Sequence, residues 1–167
     1  MAAESRTLAP FNGPIEVGLR ALAVVTATYP SLHSLQRLVI LEYLLIHSDD
    51  VEGGPPGLHP KTPHRSGEIL ARRGVLQEGL TLYQSRNLIE CVFEPLGLFY
   101  RATEGSAAFL DALDSPYVSD LRQRASWVGE RFAEQSDATL SSIMEEGVGR
   151  WGAEFTHESV LWAEEAQ

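Results

Sequence analysis

A mainly α-helical fold with one small β-hairpin is predicted, on three observations. Apolar residues recur at helical spacing through most of the chain. A single Pro/Gly turn, Pro95-Leu96-Gly97, has runs of β-forming residues on both sides. A stretch with four prolines and three glycines, residues 49–64, can be no regular element and divides the helices into two groups. The 167 residues suffice for one domain or one domain with an extension, and a composition 44% hydrophobic and 22% charged is that of a globular chain rather than a disordered one.

Pro14 suits the first turn of a helix, which Ile15, Leu19, Leu22, Val25 and Tyr29 continue at helical spacing until Pro30 stops it. A second helix is expected from Ser34 to about His47. Its apolar residues, Leu35, Leu38 to Leu41 and Leu44 to Ile46, cover most of its circumference, so it should be central and buried. Beyond the loop, a third helix runs from about Ser66 to Ser85 with Ile69, Leu76, Leu80 and Tyr83 on one face. Gly74 and Gly79 should weaken it, each by roughly 1 kcal/mol relative to Ala. Strands at 88–94 and 98–103 form the hairpin. A helix from about Gly105 to Leu113 follows, and Ser115-Pro116 is a start signal for the next, which carries Leu121, Ala125, Val128 and Phe132. A last amphipathic segment carries Leu140, Ile143, Met144, Val148 and Trp151 on one stripe, with Trp162 beyond. This order is that of a winged-helix domain. Residues 1–10 are expected to be a flexible N-terminus, 11–136 the winged-helix-like domain with its following helices, and 137–167 an acidic amphipathic helical extension.

Thirteen Lys and Arg against 23 Asp and Glu leave a net charge of −10. That sign opposes free-standing nucleic-acid binding, whose affinity comes largely from neutralising phosphates. The charge is uneven: residues 61–103 hold six basic residues and four acids, while residues 104–167 hold four against thirteen. The basic block includes Arg65, Arg72 and Arg73 on or beside the third helix, where a DNA reader would carry its recognition surface. The wing itself offers no Lys or Arg at its turn, so these arginines are candidates for a protein interface instead, together with His59 and His64 in the preceding loop. The alternative is a winged-helix DNA-binding transcription regulator, or simply a solvated face. The stripe ending at Trp151, with Trp162, reads equally as core packing or as a segment that docks on a partner.

A search for chemistry returns little. There is no phosphate-cradling G-x-x-x-x-G-K-[ST] loop and no G-x-S-x-G elbow. Cys91 lies in an expected strand, where a structural thiol fits better than a nucleophile. His59 and His64 lie near His47, Asp49 and Asp50 in sequence, but the two prolines between them hold that segment extended, so joint chelation of a metal is possible without being indicated. No catalytic residue, metal or cofactor is therefore assigned. The N-terminus lacks a signal peptide's apolar core, one cysteine suggests no disulfide, and no apolar run approaches the roughly 20 residues of a membrane span. A cytoplasmic protein is expected.

Five runs in succession carry a family resemblance: F-N-G-P-I-E-V-G-L-R-A-L at 11–22, L-Q-R-L-V-I-L-E-Y-L-L-I-H-S-D-D at 35–50, G-L-H-P-K-T-P-H-R-S-G-E-I-L-A-R-R at 57–73, G-L-T-L-Y-Q-S-R-N-L-I-E at 79–90 and S-P-Y-V-S-D-L-R-Q-R-A-S-W-V at 115–128. Together they resemble the small middle component of the prokaryotic ABC-three-component systems, the defence group that includes Lamassu. The resemblance covers about residues 11–132. It implies a non-catalytic adaptor beside an SMC-like ABC ATPase and a separate effector, often a nuclease, acting against phage or plasmids. It further implies that DNA is met only indirectly, through the complex, and it leaves homo-oligomers open. No catalytic residue carries over from it.

Overall fold

The computed structural model describes residues 12–60 and 65–147; within the third helix the side chains of residues 65–68 and 70 are not described. The elements run α1 (Pro14–Ala27), β1 (His33–Ser34), α2 (Leu35–Ile46), α3 (Arg65–Ser85), β2 (Ile89–Glu94), β3 (Gly97–Ala102), α4 (Ser106–Asp111) and α5 (Pro116–Phe132), with a single 3-10 turn at Ser48–Asp50. Residues 137–147 form a further helical stretch. The mainly α fold with a small hairpin is the one expected, and the expected element order holds.

Three local details differ from expectation. A short strand, β1, joins the hairpin, making a three-stranded antiparallel sheet in the order β1-β3-β2, with His33 opposite Tyr100 and Ser34 opposite Phe99. Two residues are too few for a periodicity to show. Ser34 is the N-cap of α2, its hydroxyl accepting from the Arg37 amide at 3.1 Å. Ser115 stands at the N-cap of α5, but its side chain makes no cap hydrogen bond, so the start of α5 rests on Pro116 at N1.

The core lies between the helices. Leu22 and Val24 of α1, Leu38 and Leu45 of α2, Leu76 and Leu80 of α3, and Leu121 and Val128 of α5 all belong to one buried cluster. Leu140 and Met144 join the same cluster, so the first turns of the expected extension pack on the domain. Trp151 and Trp162 lie outside the described residues.

The crossing of α1 with α3 explains one of the two helical glycines. A Cβ on Gly79 would stand 2.6 Å from the Pro14 carbonyl oxygen and 2.9 Å from the backbone of Gly18; one on Gly18 would meet the Tyr83 ring at 2.5 Å. Two helices can approach this closely only where neither carries a side chain. Tyr83 locks the crossing by donating its hydroxyl to the Ile15 carbonyl at 2.9 Å. Gly79 is therefore a packing requirement rather than a weak point of α3. A Cβ on Gly74, by contrast, would meet no atom within 4 Å. The two glycines should respond oppositely to alanine. Gly79→Ala is expected to lose about 1–3 kcal/mol to overpacking, whereas Gly74→Ala should gain up to about 1 kcal/mol; urea denaturation of the two variants checks the difference in sign.

One side chain ties the C-terminal helices to the front of the domain. Arg37, on the first turn of α2, donates to the Phe132 and Ala133 carbonyls at the end of α5, both at 3.0 Å, and pairs with Asp137 at 2.8 Å. Its Nε also donates to Nδ1 of His33 at 3.2 Å. A cation at a helix C-terminus both satisfies orphan carbonyls and meets the negative end of the helix dipole.

Candidate functional site beneath the loop

Three helices meet at one carboxylate. Glu42 of α2 accepts from Arg20 Nε of α1 at 2.6 Å through one oxygen and from Arg72 Nη1 of α3 at 2.9 Å through the other. All three side chains are buried, with 0%, 1% and 7% of the Arg20, Glu42 and Arg72 side chains exposed. Buried charges persist only when paired and hydrogen-bonded, and the arrangement extends accordingly. Arg20 Nη2 donates to Asn12 Oδ1 at 3.3 Å, and the Arg72 guanidinium stands 6.0 Å from the Tyr43 ring centre. Tyr43 donates its hydroxyl to Asp50 Oδ2 at 2.6 Å. Burial alone would lower the Arg20 pKa; Glu42 and, less strongly, the Tyr117 hydroxyl outweigh it and leave the pKa raised.

The loop closes over this cluster. The Leu58 and His59 amides donate to the Ile46 carbonyl at 2.9 and 3.3 Å, the Ser48 hydroxyl donates to the Pro55 carbonyl at 3.0 Å, and Arg124 of α5 donates to the Pro56 carbonyl at 3.0 Å. A Cβ on Gly54 would overlap the Ser48 carbonyl oxygen at 1.9 Å, so the chain can pass there only as glycine. The described part of the loop, though long, is thus fastened along its length. His59 sets its Nε2 2.9 Å from the Tyr117 hydroxyl. Burial first, then the charges of Arg20 and Arg72, hold its pKa down to about 4, so it is neutral at physiological pH.

Of the residues singled out from sequence, the structure brings His59 and Arg72 to the same cluster. Arg72, which its place in the basic block suggests for an interface, is buried against Glu42: it lies on the apolar face of α3 between Ile69 and Leu76 and there supplies the second cation that a carboxylate buried on α2 needs. Its neighbour Arg73 is exposed and donates to Gln36 Oε1 at 2.7 Å. Arg65 opens α3, its side chain not described, and His64, Trp151 and Trp162 fall outside the described residues. Sequence reasoning missed Arg20 and Glu42, though the signal was present. An acid inside a helix expected to be buried all round requires a buried cation.

The chemistry available to this cluster is structural. Both Glu42 oxygens already accept from guanidinium groups, which cannot release a proton near neutrality. Cys91, on β2, has its thiol pKa pushed up by burial, away from the reactive thiolate. A cleft of about 380 Å³ between residues 50–52 and the end of α5, lined by Arg131, Phe132, Gln135 and Ile143 among others, includes neither histidine nor cysteine. Among the described residues, no three His, Cys, Asp or Glu side chains converge as metal ligands would. Nor, among them, is any helix long and apolar enough to cross a membrane.

Neither the curated proteins nor the solved structures contain a match to this chain. Residues 10–154 match a family model, a span that takes in α1 to α5, the helical stretch at 137–147, the sheet, the loop and the ion cluster beneath it. By that match, over most of its length, the chain belongs to the ABC-three component (ABC-3C) system Middle Component 2 family.

Proposed function

We propose that this protein is a non-catalytic adaptor that links an SMC-like ABC ATPase to a separate effector, such as a nuclease, in a Lamassu-type defence system acting in the cytoplasm against phage or plasmids. The observation that carries this reading is the family match over residues 10–154, since a middle component associates with the other members of its system. The site supports it: its buried ionisable groups are spent on joining α1, α2 and α3. We read the domain, residues 11–136, as a winged helix because β1 precedes α2 and pairs with β3, so the sheet gathers the strand before the second helix and the hairpin after the third. Residues 137–167 form its acidic extension. Arg65 and Arg73 on α3, with His59, His64, Trp151 and Trp162, remain partner-facing candidates; Arg72 acts from within by holding α3 in place.

The adaptor reading is tested against nucleic-acid binding. At physiological salt the isolated protein is expected to bind duplex DNA with a Kd no tighter than about 10⁻⁶ M and without sequence preference. A Kd near 10⁻⁸ M for one sequence, the range of specific regulators, would contradict it. Fluorescence anisotropy with random and genomic duplexes measures the difference.

A further inference from the structure

The β2–β3 hairpin reaches beyond the body on which it packs. Its antiparallel register places Ile89 opposite Ala102, Cys91 opposite Tyr100 and Phe93 opposite Leu98. Alternate residues of a strand share a face, so these six form one apolar stripe. At the base the stripe is core, with Ile89, Tyr100 and Ala102 all buried; at the tip it is bare, with Leu98 39%, Phe93 84% and the turn residue Leu96 93% exposed. Single exposed apolar residues are ordinary, but adjoining ones on one rigid turn mark an interaction surface. In the sheet order β1-β3-β2, the outer side of β2 has no neighbouring strand among the described residues. That edge reads Ile-Glu-Cys-Val-Phe-Glu, with none of the lysines or prolines that usually discourage pairing.

Charge selects the occupant. Glu90 is answered across the ladder by an ion pair with Arg101, whereas Glu94, beside Phe93 at the tip, has no cation against it among the described residues. A second copy would set Glu94 and a net charge of −10 against the same charges, and duplex DNA would set phosphates there. A protein surface with a basic rim meets this tip favourably. We infer that the tip formed by Phe93, Leu96 and Leu98, with the adjoining β2 edge, docks into an apolar pocket rimmed by Lys or Arg on another component of the same system. This rests on the adaptor reading.

The test compares the full-length wild type with Phe93→Ser/Leu96→Ser, with Leu96→Ser alone and with Glu94→Lys, each titrated against the purified ATPase and effector components. These positions lie outside the core, so thermal unfolding reports that each variant remains folded. The double variant is expected to lose at least about 30-fold in affinity for one component, as truncated apolar anchors do. Glu94→Lys should weaken the same component by slowing association, most at low salt. Unchanged affinity of the folded variants overturns the docking surface and leaves the adaptor reading standing. Absence of any complex with wild type overturns the adaptor reading itself. A wild-type dimer that the double variant abolishes overturns the assignment of the partner, as does tighter binding by Glu94→Lys.

Discussion

Glu42→Ala is expected to lose about 3–5 kcal/mol of folding stability, because it leaves two buried guanidinium groups without their shared counter-charge. For a chain of this length that corresponds to a fall in Tm of about 10 °C or more. The loss arises from uncompensated burial rather than from the removal of a favourable bond, and a second variant separates the two. Arg20→Met/Glu42→Leu/Arg72→Met replaces every member with an apolar group of similar length and should recover most of the stability. Circular dichroism melting of both variants provides the measurement. Wild-type stability in Glu42→Ala would mean that water reaches the cluster, contrary to the 0–7% side-chain exposure of its members.

Stability should also fall as the pH drops from about 6.5 towards 4, through His33. His33 is 1% exposed, and both of its ring nitrogens are hydrogen-bonded in the neutral state. The Thr28 hydroxyl donates to the Val24 carbonyl at 2.9 Å, so its oxygen accepts from His33 Nε2 at 2.7 Å, while Nδ1 accepts from Arg37. Burial first, then the adjacent Arg37 charge, hold the His33 pKa down to about 4, against the partly opposing Asp137 carboxylate. Between pH 4 and 6.5 the unfolded chain therefore binds more protons than the folded one. Stability is fully present above the unfolded pKa and is lost as pH falls through the folded one. Each pKa unit is worth 1.36 kcal/mol, so His33 contributes about 3 kcal/mol across this window. His59, whose pKa is also held down to about 4, acts in the same direction. Urea denaturation at pH 7 and at steps down to pH 4 should show the decline, and His33→Gln should flatten it. An unchanged slope in that variant would assign the pH dependence to other groups.

Protonated His33 would carry a hydrogen at Nδ1, facing the Nε–H of Arg37. Since Arg37 also holds the Phe132 and Ala133 carbonyls and Asp137, the end of α5 and the helix at 137–147 should loosen first. Loss of amide exchange protection in residues 137–147 ahead of α2 reports that order.

Much of this architecture is legible in the residues. Helical spacing locates α1, α2, α3 and α5 within a residue or two because each buries a broad apolar stripe, and Pro95-Leu96 announces the hairpin. What sequence cannot show is pairing across distance. β1 is two residues long and exists because β3 offers it an edge. Gly79 reads as a weakness within α3 and becomes a requirement only once Gly18 lies against it. Arg72 and Arg73 are adjacent and alike in sequence, yet one faces the core and the other solvent. The helical turn separates them by about 100°, and Arg72, three residues after Ile69 and four before Leu76, falls on the apolar face of α3; what sequence does not show is that Glu42 lies against it. The lack of basic residues at the hairpin turn is plain in the sequence; its bare apolar stripe appears only when the register shows where the helical body ends.

The central claim, that this chain is a stable member of a larger assembly, is tested most directly by native mass spectrometry of the tagged full-length protein co-expressed with the proposed ATPase and effector partners. The account predicts a defined complex containing this chain and at least the ATPase, while the purified chain alone shows no hydrolytic activity. Recovery of the chain solely as a homodimer bound to a palindromic DNA sequence, with neither component attached, would contradict it.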